Sequence, residues 1–142
     1  MPVVDAGVVV DWVAPDADPE LPAFAALARL VADDAELLAP RLLMEEVSNA
    51  LLTGVRRRRW SGAAADEAQR LLRDLPVRLV DDQRDLVRAW DLARRYDNHS
   101  IYDLLYVAVA ERRGTQLITA DSRLRQRLVG IDWLVAPEQV LS

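Results

Sequence analysis

The chain contains no cysteine and no lysine, and its 142 residues include a single histidine, His99. Without cysteine there can be no disulfide framework, no thiolate metal site and no covalent cysteine mechanism. One histidine argues against a His-based catalytic apparatus and against a His-rich zinc site. Long apolar runs are missing too, and nothing approaches the roughly 20 residues of a membrane span. The opening MPVVDAGVVVDWV is apolar but carries Asp5 and Asp11 and lacks a basic leader. No export signal is read there, and a soluble cytoplasmic protein with no membrane partner is expected. Asn98-His99-Ser100 matches a glycosylation sequon, which has no meaning in a cytoplasmic chain. Any chemistry must be done with carboxylates.

Apolar residues make up 51% of the chain, enough for a core without staples, and the length suits one domain over residues 1–142. The net charge of −5 speaks at first against a phosphate-bearing partner, which needs a basic surface. Distribution matters more than the sum. All 18 basic residues are arginine, gathered at Arg56 to Arg59, Arg94-Arg95, Arg112-Arg113 and Arg123/Arg125/Arg127. Arginine offers a planar fork for phosphate oxygens, although solvated helix ends would use the same residues.

Val3-Val4 reads as a short buried strand ending at Asp5, and Gly7 to Val13 either continues it or turns into a helix. Asp16 to Pro19 starts a helix that carries Leu21, Phe24, Leu27, Leu30 and Val31 at helical spacing. Leu37-Leu38-Ala39 is a second strand ended by Pro40. Arg41 to about Arg57 is the clearest helix, with Leu43, Val47, Ala50, Leu51 and Val55 on one stripe. After the break at Ser61-Gly62, Ala63 to Asp74 is helical, and Val77 to Val80 is a third strand. Gln83 to Tyr96 and Ile101 to Arg113 are helices, the second stopped by Gly114. Gln116 to Thr119 is a fourth strand and Asp121 starts a short helix. Trp133 to Val135 is a last strand before a short tail from Pro137. Strands separated by helices need crossovers, which predicts an α/β/α domain with a parallel sheet of about four to five strands covered on both faces.

In such a sheet, ligands bind beyond the carboxyl ends of the strands where the connectivity reverses. Asp5 and Asp121 stand just past the ends of the first and fourth strands. Glu46 and Asp103 lie inside apolar stretches of helices, where a carboxylate needs a partner to offset desolvation. Each acid alone has a plain structural use. Asp5 and Asp121 can cap the helices that follow them, Asp103 stands three residues after Ser100 as in a capping box, and Glu46 can be a solvated helix residue like Glu45. Together they form a set of hard oxygen donors suited to Mg²⁺ or Mn²⁺.

Val3-Val4-Asp5, Glu46-Val47-x-Asn49-Ala50-Leu51, Tyr102-Asp103-x-x-Tyr106 and Leu117-Ile118-Thr119-Ala120-Asp121, in that order and spacing, resemble PIN-domain ribonucleases. The likeness is to the toxin subunits of VapBC-type toxin–antitoxin systems in particular. It implies that Asp5, Glu46, Asp103 and Asp121 are catalytic residues surrounding one or two divalent ions. It also implies hydrolysis of an RNA phosphodiester that leaves a 5′-phosphate and a 3′-hydroxyl. Glu46 is picked over Glu45 by the resemblance, and Asn49 shares its helix face, so that the amide could orient the carboxylate. Thr119 could bond a site carboxylate or phosphate, and Arg56 and Arg123 are the favoured phosphate contacts. A homodimer and an antitoxin whose tail crosses the acidic site are further implications, with Leu21, Phe24 and Leu27 either forming that groove or belonging to the core. Trp60 could stack on a base, but a core or dimer contact suits it better.

One position departs from the family pattern: where serine, threonine or asparagine usually stands two residues after the first aspartate, this chain has Gly7. That opens an alternative, a PIN-like binding module for RNA or a protein partner with a weakened catalytic site. Retention of all four acids argues against it. Phosphoryl-transfer enzymes with an aspartyl nucleophile fit poorly, because Gly7 replaces their second aspartate and the lysine of receiver domains is absent. Nothing in the sequence names the RNA.

Overall fold

The structure, a computed structural model, describes residues 1–141. Five parallel strands form one sheet in the order β3-β2-β1-β4-β5, with β1 at Val3–Val4, β2 at Leu37–Pro40, β3 at Val77–Val80, β4 at Leu117–Ile118 and β5 at Leu134–Val135. The register places Val3 beside both Leu38 and Leu117, and Val4 beside Ile118. The predicted α/β architecture is therefore found.

Helices flank the sheet. They are α1 (Ala6–Val13), α2 (Pro22–Ala32), α3 (Leu43–Arg56), α4 (Gly62–Asp74), α5 (Gln83–Arg95), α6 (Ile101–Arg113), α7 (Ser122–Arg127) and α8 (Pro137–Leu141). One group is built around α1, which packs on α2, α3 and α4, while α8 packs on α2. In the other, α5 packs on α6, which lies against β1, β2 and β4. The central strands are accordingly apolar on both faces, and Val3, Val4, Leu37, Leu38, Ala39 and Leu117 are fully buried. Full burial of one such Leu or Val side chain stabilises by roughly 1.5–3 kcal/mol, so the sheet is the anchor for everything at its ends.

Four segments settle differently from the simplest reading. The helix expected to start at Asp16 to Pro19 begins only at Pro22, with Leu21 as its N-cap, because the chain first turns through residues 14–21. Ala6–Val13 is helical from Asp5 onward, so the first strand is only two residues long. Pro40 belongs to β2, paired with Val80. Alternation along the strand points the donor that proline lacks toward β1, which has already ended. The tail from Pro137 is a short helix. At the sheet edge, Arg78 and Leu79 of β3 are exposed, and Arg78 pairs with Glu36 at 3.3 Å, a charged guard on an unpaired edge.

Two arginine clamps fix α6 against α5. Arg112 Nε and Nη2 donate to Asp85 Oδ1 and Oδ2 at 2.7 and 2.9 Å. Arg88 makes the same two-pronged contact with Glu111 at 2.7 and 3.2 Å. The Asp85 side chain is only 5% exposed, so removing it leaves the half-buried Arg112 guanidinium with only its longer contact to Asp82 at 3.8 Å. Asp85→Ala is expected to cost about 2–4 kcal/mol, read as a lower urea midpoint at unchanged slope.

Candidate functional site

The strand order reverses between β1 and β4, which run side by side although most of the chain separates them. Their carboxyl ends open the crevice in which α/β sheets bind ligands. Asp5 follows β1 directly, and its amide donates to the Ile118 carbonyl at 3.3 Å. Extended backbone at Asp5 (φ −86°, ψ 169°) makes it the N-cap of α1, with Oδ1 accepting from the Val8 amide at 2.9 Å. Asp121 caps α7 in the same way, accepting from the Leu124 amide at 3.1 Å. Its own amide donates to Thr119 Oγ1 at 3.1 Å, and Thr119 is fully buried. Both helix-capping roles are thus real, and each engages only one carboxylate oxygen.

Glu46 arrives on the first turn of α3 and Asp103 on the first turn of α6. The Tyr106 hydroxyl donates to Glu46 Oε1 at 2.8 Å, so Glu46 is held rather than freely solvated. Ser100, the N-cap of α6, makes no side-chain cap bond, and the capping-box reading of Asp103 is not realised. Its Oδ2 instead faces His99 Nε2 at 2.8 Å.

Charge couples these acids. Burial pushes the Asp5 carboxyl up to about 6, the negative charges of Asp103 and Asp121 add to the rise, and hydrogen bonds from Thr119 and Val8 oppose it. Burial also raises Glu46, helped by Asp103 and opposed by Tyr106. The Tyr106 hydroxyl is raised far above its ordinary range by burial and by the carboxylate it touches. Although arginines pair with acids elsewhere, none pairs with Asp5, Glu46, Asp103 or Asp121 among the described residues.

Among the described residues, no three His, Cys, Asp or Glu side chains converge tightly enough to chelate an ion as they stand. The donor chemistry fits a divalent cation all the same. Four hard oxygen donors that repel one another and lack an arginine partner are what Mg²⁺ or Mn²⁺ would neutralise.

The other sequence-derived candidates separate. Thr119 lies between Asp5 and Asp121 and bonds in both directions. Asn49 is exposed, and the hydrogen bond to Glu46 comes from Tyr106 rather than from Asn49. Arg56 donates to Thr53 Oγ1 at 2.8 Å. It lies ten residues along α3 from Glu46, about 15 Å at helical rise. Arg123 is exposed beside Asp121. Trp60 is a packing residue: its indole N–H donates to the Leu51 carbonyl at 2.9 Å, and a Cβ on Gly54 would sit 2.1 Å from its ring. Sequence reasoning missed Arg125, which donates to the Thr119 carbonyl, and the partnerships of Tyr106 and His99. For His99, the four-residue spacing to Asp103 was the available signal.

Gly7 is the second residue of α1 and the exposed member of its first turn. A Cβ there would lie 3.6 Å from Asp5 Oδ1, ordinary contact, so no lack of space dictates glycine.

The family model of the PIN domain matches residues 3–127, and the chain belongs to that family. PIN domains are in general metal-dependent nucleases. Comparison with curated proteins gives no match. No helix among the described residues is long and apolar enough to cross a membrane.

Two consequences follow from the electrostatics. Because the folded carboxyl of Asp5 titrates near 6 against an ordinary 3.8, the folded state binds more protons between those values. Stability falls as pH rises through that window, and the whole cost is present above it. Asp5→Asn, which keeps a good N-cap, should raise the melting temperature of the metal-free protein by a few degrees at pH 7.5 and leave it unchanged near pH 3.5. Equal melting at both pH values would show that Asp5 carries no such strain. Tyr106→Phe strips Glu46 of its donor, and we expect Mn²⁺ affinity measured by calorimetry to drop about tenfold.

Proposed function

We propose that this protein is a Mg²⁺- or Mn²⁺-dependent endoribonuclease and the toxin half of a toxin–antitoxin pair. The observation that carries the nuclease reading is the set of four acids, Asp5, Glu46, Asp103 and Asp121, left without an arginine partner at the switch point of the sheet. In a chain with 18 arginines, four acids at one place without one of them are better explained by a cation site than by neglect.

Asp5, Glu46, Asp103 and Asp121 would hold the ion. When bound, a divalent cation supplies Lewis acidity, activation of water and neutralisation of charge at the scissile phosphate. The chain's own part is positioning. Tyr106 holds Glu46, Thr119 ties Asp5 to the Asp121 loop, and one carboxylate of the cluster accepts the proton of the attacking water. Arg123 and Arg125 stand beside Asp121 and suit the phosphates that flank the cut, while Arg56 suits one further along the strand.

Partner binding is supported by surface chemistry. Leu86, Val87 and Trp90 leave an exposed apolar face on α5, in keeping with a homodimer. Leu21, exposed, and Arg125 line a small cavity with Asp11 and Glu138, while Leu27 is fully buried. An antitoxin tail crossing from that cavity to the acids would block the site, and an arginine in it would supply the missing cation. Gly7 favours the second reading, a binding module of the same fold, since it withholds a side-chain contact next to Asp5.

Cleavage of total cellular RNA by the purified protein separates the two. Discrete fragments are expected with Mn²⁺ or Mg²⁺ and none with EDTA, and Asp103→Asn should reduce cutting at least a hundredfold. A folded, metal-binding protein that cuts no RNA beyond the Asp103→Asn background would favour the binding module.

A further inference from the structure

His99 does not belong to any role assigned above. Its side chain is only 9% exposed, and it touches the acid cluster. Nε2 lies 2.8 Å from Asp103 Oδ2. An ionised carboxylate can only accept, so the imidazole donates from Nε2. The other ring nitrogen, Nδ1, is buried with no hydrogen-bond partner. An apolar side chain of similar size would fill this space without burying an unpaired polar atom, so packing alone gives no reason for histidine here.

The backbone is shaped to put the ring in place. Between α5 and α6 the chain passes through two consecutive left-handed residues, Asp97 (φ 59°) and Asn98 (φ 58°). Aspartate and asparagine tolerate that conformation better than other non-glycine residues. Arg94 Nη1 holds the turn by donating to Asn98 Oδ1 at 2.6 Å. The turn delivers His99 just before the helix begins, with Asp103 four residues later. Tyr106 stands three residues beyond Asp103 and treats Glu46 in the same way, at 2.8 Å.

We propose that His99 is a positioning residue for the metal-binding acids. By engaging Oδ2 of Asp103 it fixes the rotamer of that carboxylate and leaves Oδ1 to face a divalent cation. This rests on the nuclease reading, in which Asp103 is a ligand. Metal-binding groups are commonly oriented by such outer hydrogen bonds, and losing one typically costs 10–100-fold in metal affinity.

The test is Mn²⁺ binding by titration calorimetry on the full chain, with melting in EDTA as the check of folding. His99→Phe fills the space without a donor and should weaken Mn²⁺ binding 10–100-fold. His99→Gln, whose amide N–H reaches about as far as Nε2, should bind within a few-fold of wild type. Should His99→Phe not fold, His99→Asn replaces it: asparagine places its amide near Nδ1, so it should bind as poorly as the donor-less variant while glutamine does not. Wild-type affinity in His99→Phe, or equal affinity in the Asn and Gln variants, would overturn the proposal. Asp103→Asn separates the two levels of the argument. If it loses Mn²⁺ while His99→Phe keeps it, the metal site stands and only the role of His99 falls. A wild-type protein that binds no Mn²⁺ overturns both.

Discussion

Like charges held together at the end of a buried parallel sheet are the constraint around which this molecule is arranged. Asp5 cannot move away from Asp121, because β1 and β4 are adjacent and in register at Val4 and Ile118. Nor can it escape burial, since the strand before it is fully enclosed. The fold answers with hydrogen-bond donors: the Val8 and Leu124 amides, the Thr119 hydroxyl and the Tyr106 hydroxyl all point at carboxylates of the cluster. Donors of this kind reduce the repulsion without neutralising it. Neutralisation requires a cation, and among the described residues no arginine is placed there; the one basic side chain that reaches the cluster is His99, at Asp103.

The disposition of arginine makes that omission meaningful. On the flank built by α5 and α6, acids are paired with care: Asp85 and Glu111 each receive a two-pronged guanidinium. These clamps hold the same helix that carries Asp103 and Tyr106. On α6 Glu111 thus receives an arginine, whereas Asp103, about two turns earlier, is met by His99 instead.

Much of this was legible in the sequence because it depends on periodicity and order. Apolar runs bounded by Pro76 and Gly114 gave strands and helices nearly at their observed limits, and alternation of the two gave the parallel sheet. With the sheet came the switch point, and with it the meeting of Asp5 and Asp121. Side-chain partners were not legible, because they join residues far apart in the chain or depend on a turn. Tyr106 and Glu46 are 60 residues apart. The ring of His99 meets Asp103 only because Asp97 and Asn98 adopt left-handed backbone, which composition permits but does not demand. Arg125 rather than Arg123 bonds at Thr119 because the phase of α7 turns it inward, and two residues of helix are enough to reverse such a choice.

Helix capping and metal binding looked like competing explanations of the same aspartates, and the geometry shows that they are compatible. A carboxylate has two oxygens; at Asp5 and Asp121 one accepts from a helix amide while the rest of the group faces its neighbours. Capping then does more than stabilise a helix, because it fixes the orientation in which the second oxygen is offered. Gly7 completes this picture from the opposite direction. Its φ is not positive and its Cβ position is unobstructed, so neither backbone nor packing explains the glycine. Its physical effect is to leave Asp5 Oδ1 without the side-chain contact that a Cβ at position 7, 3.6 Å away, would begin.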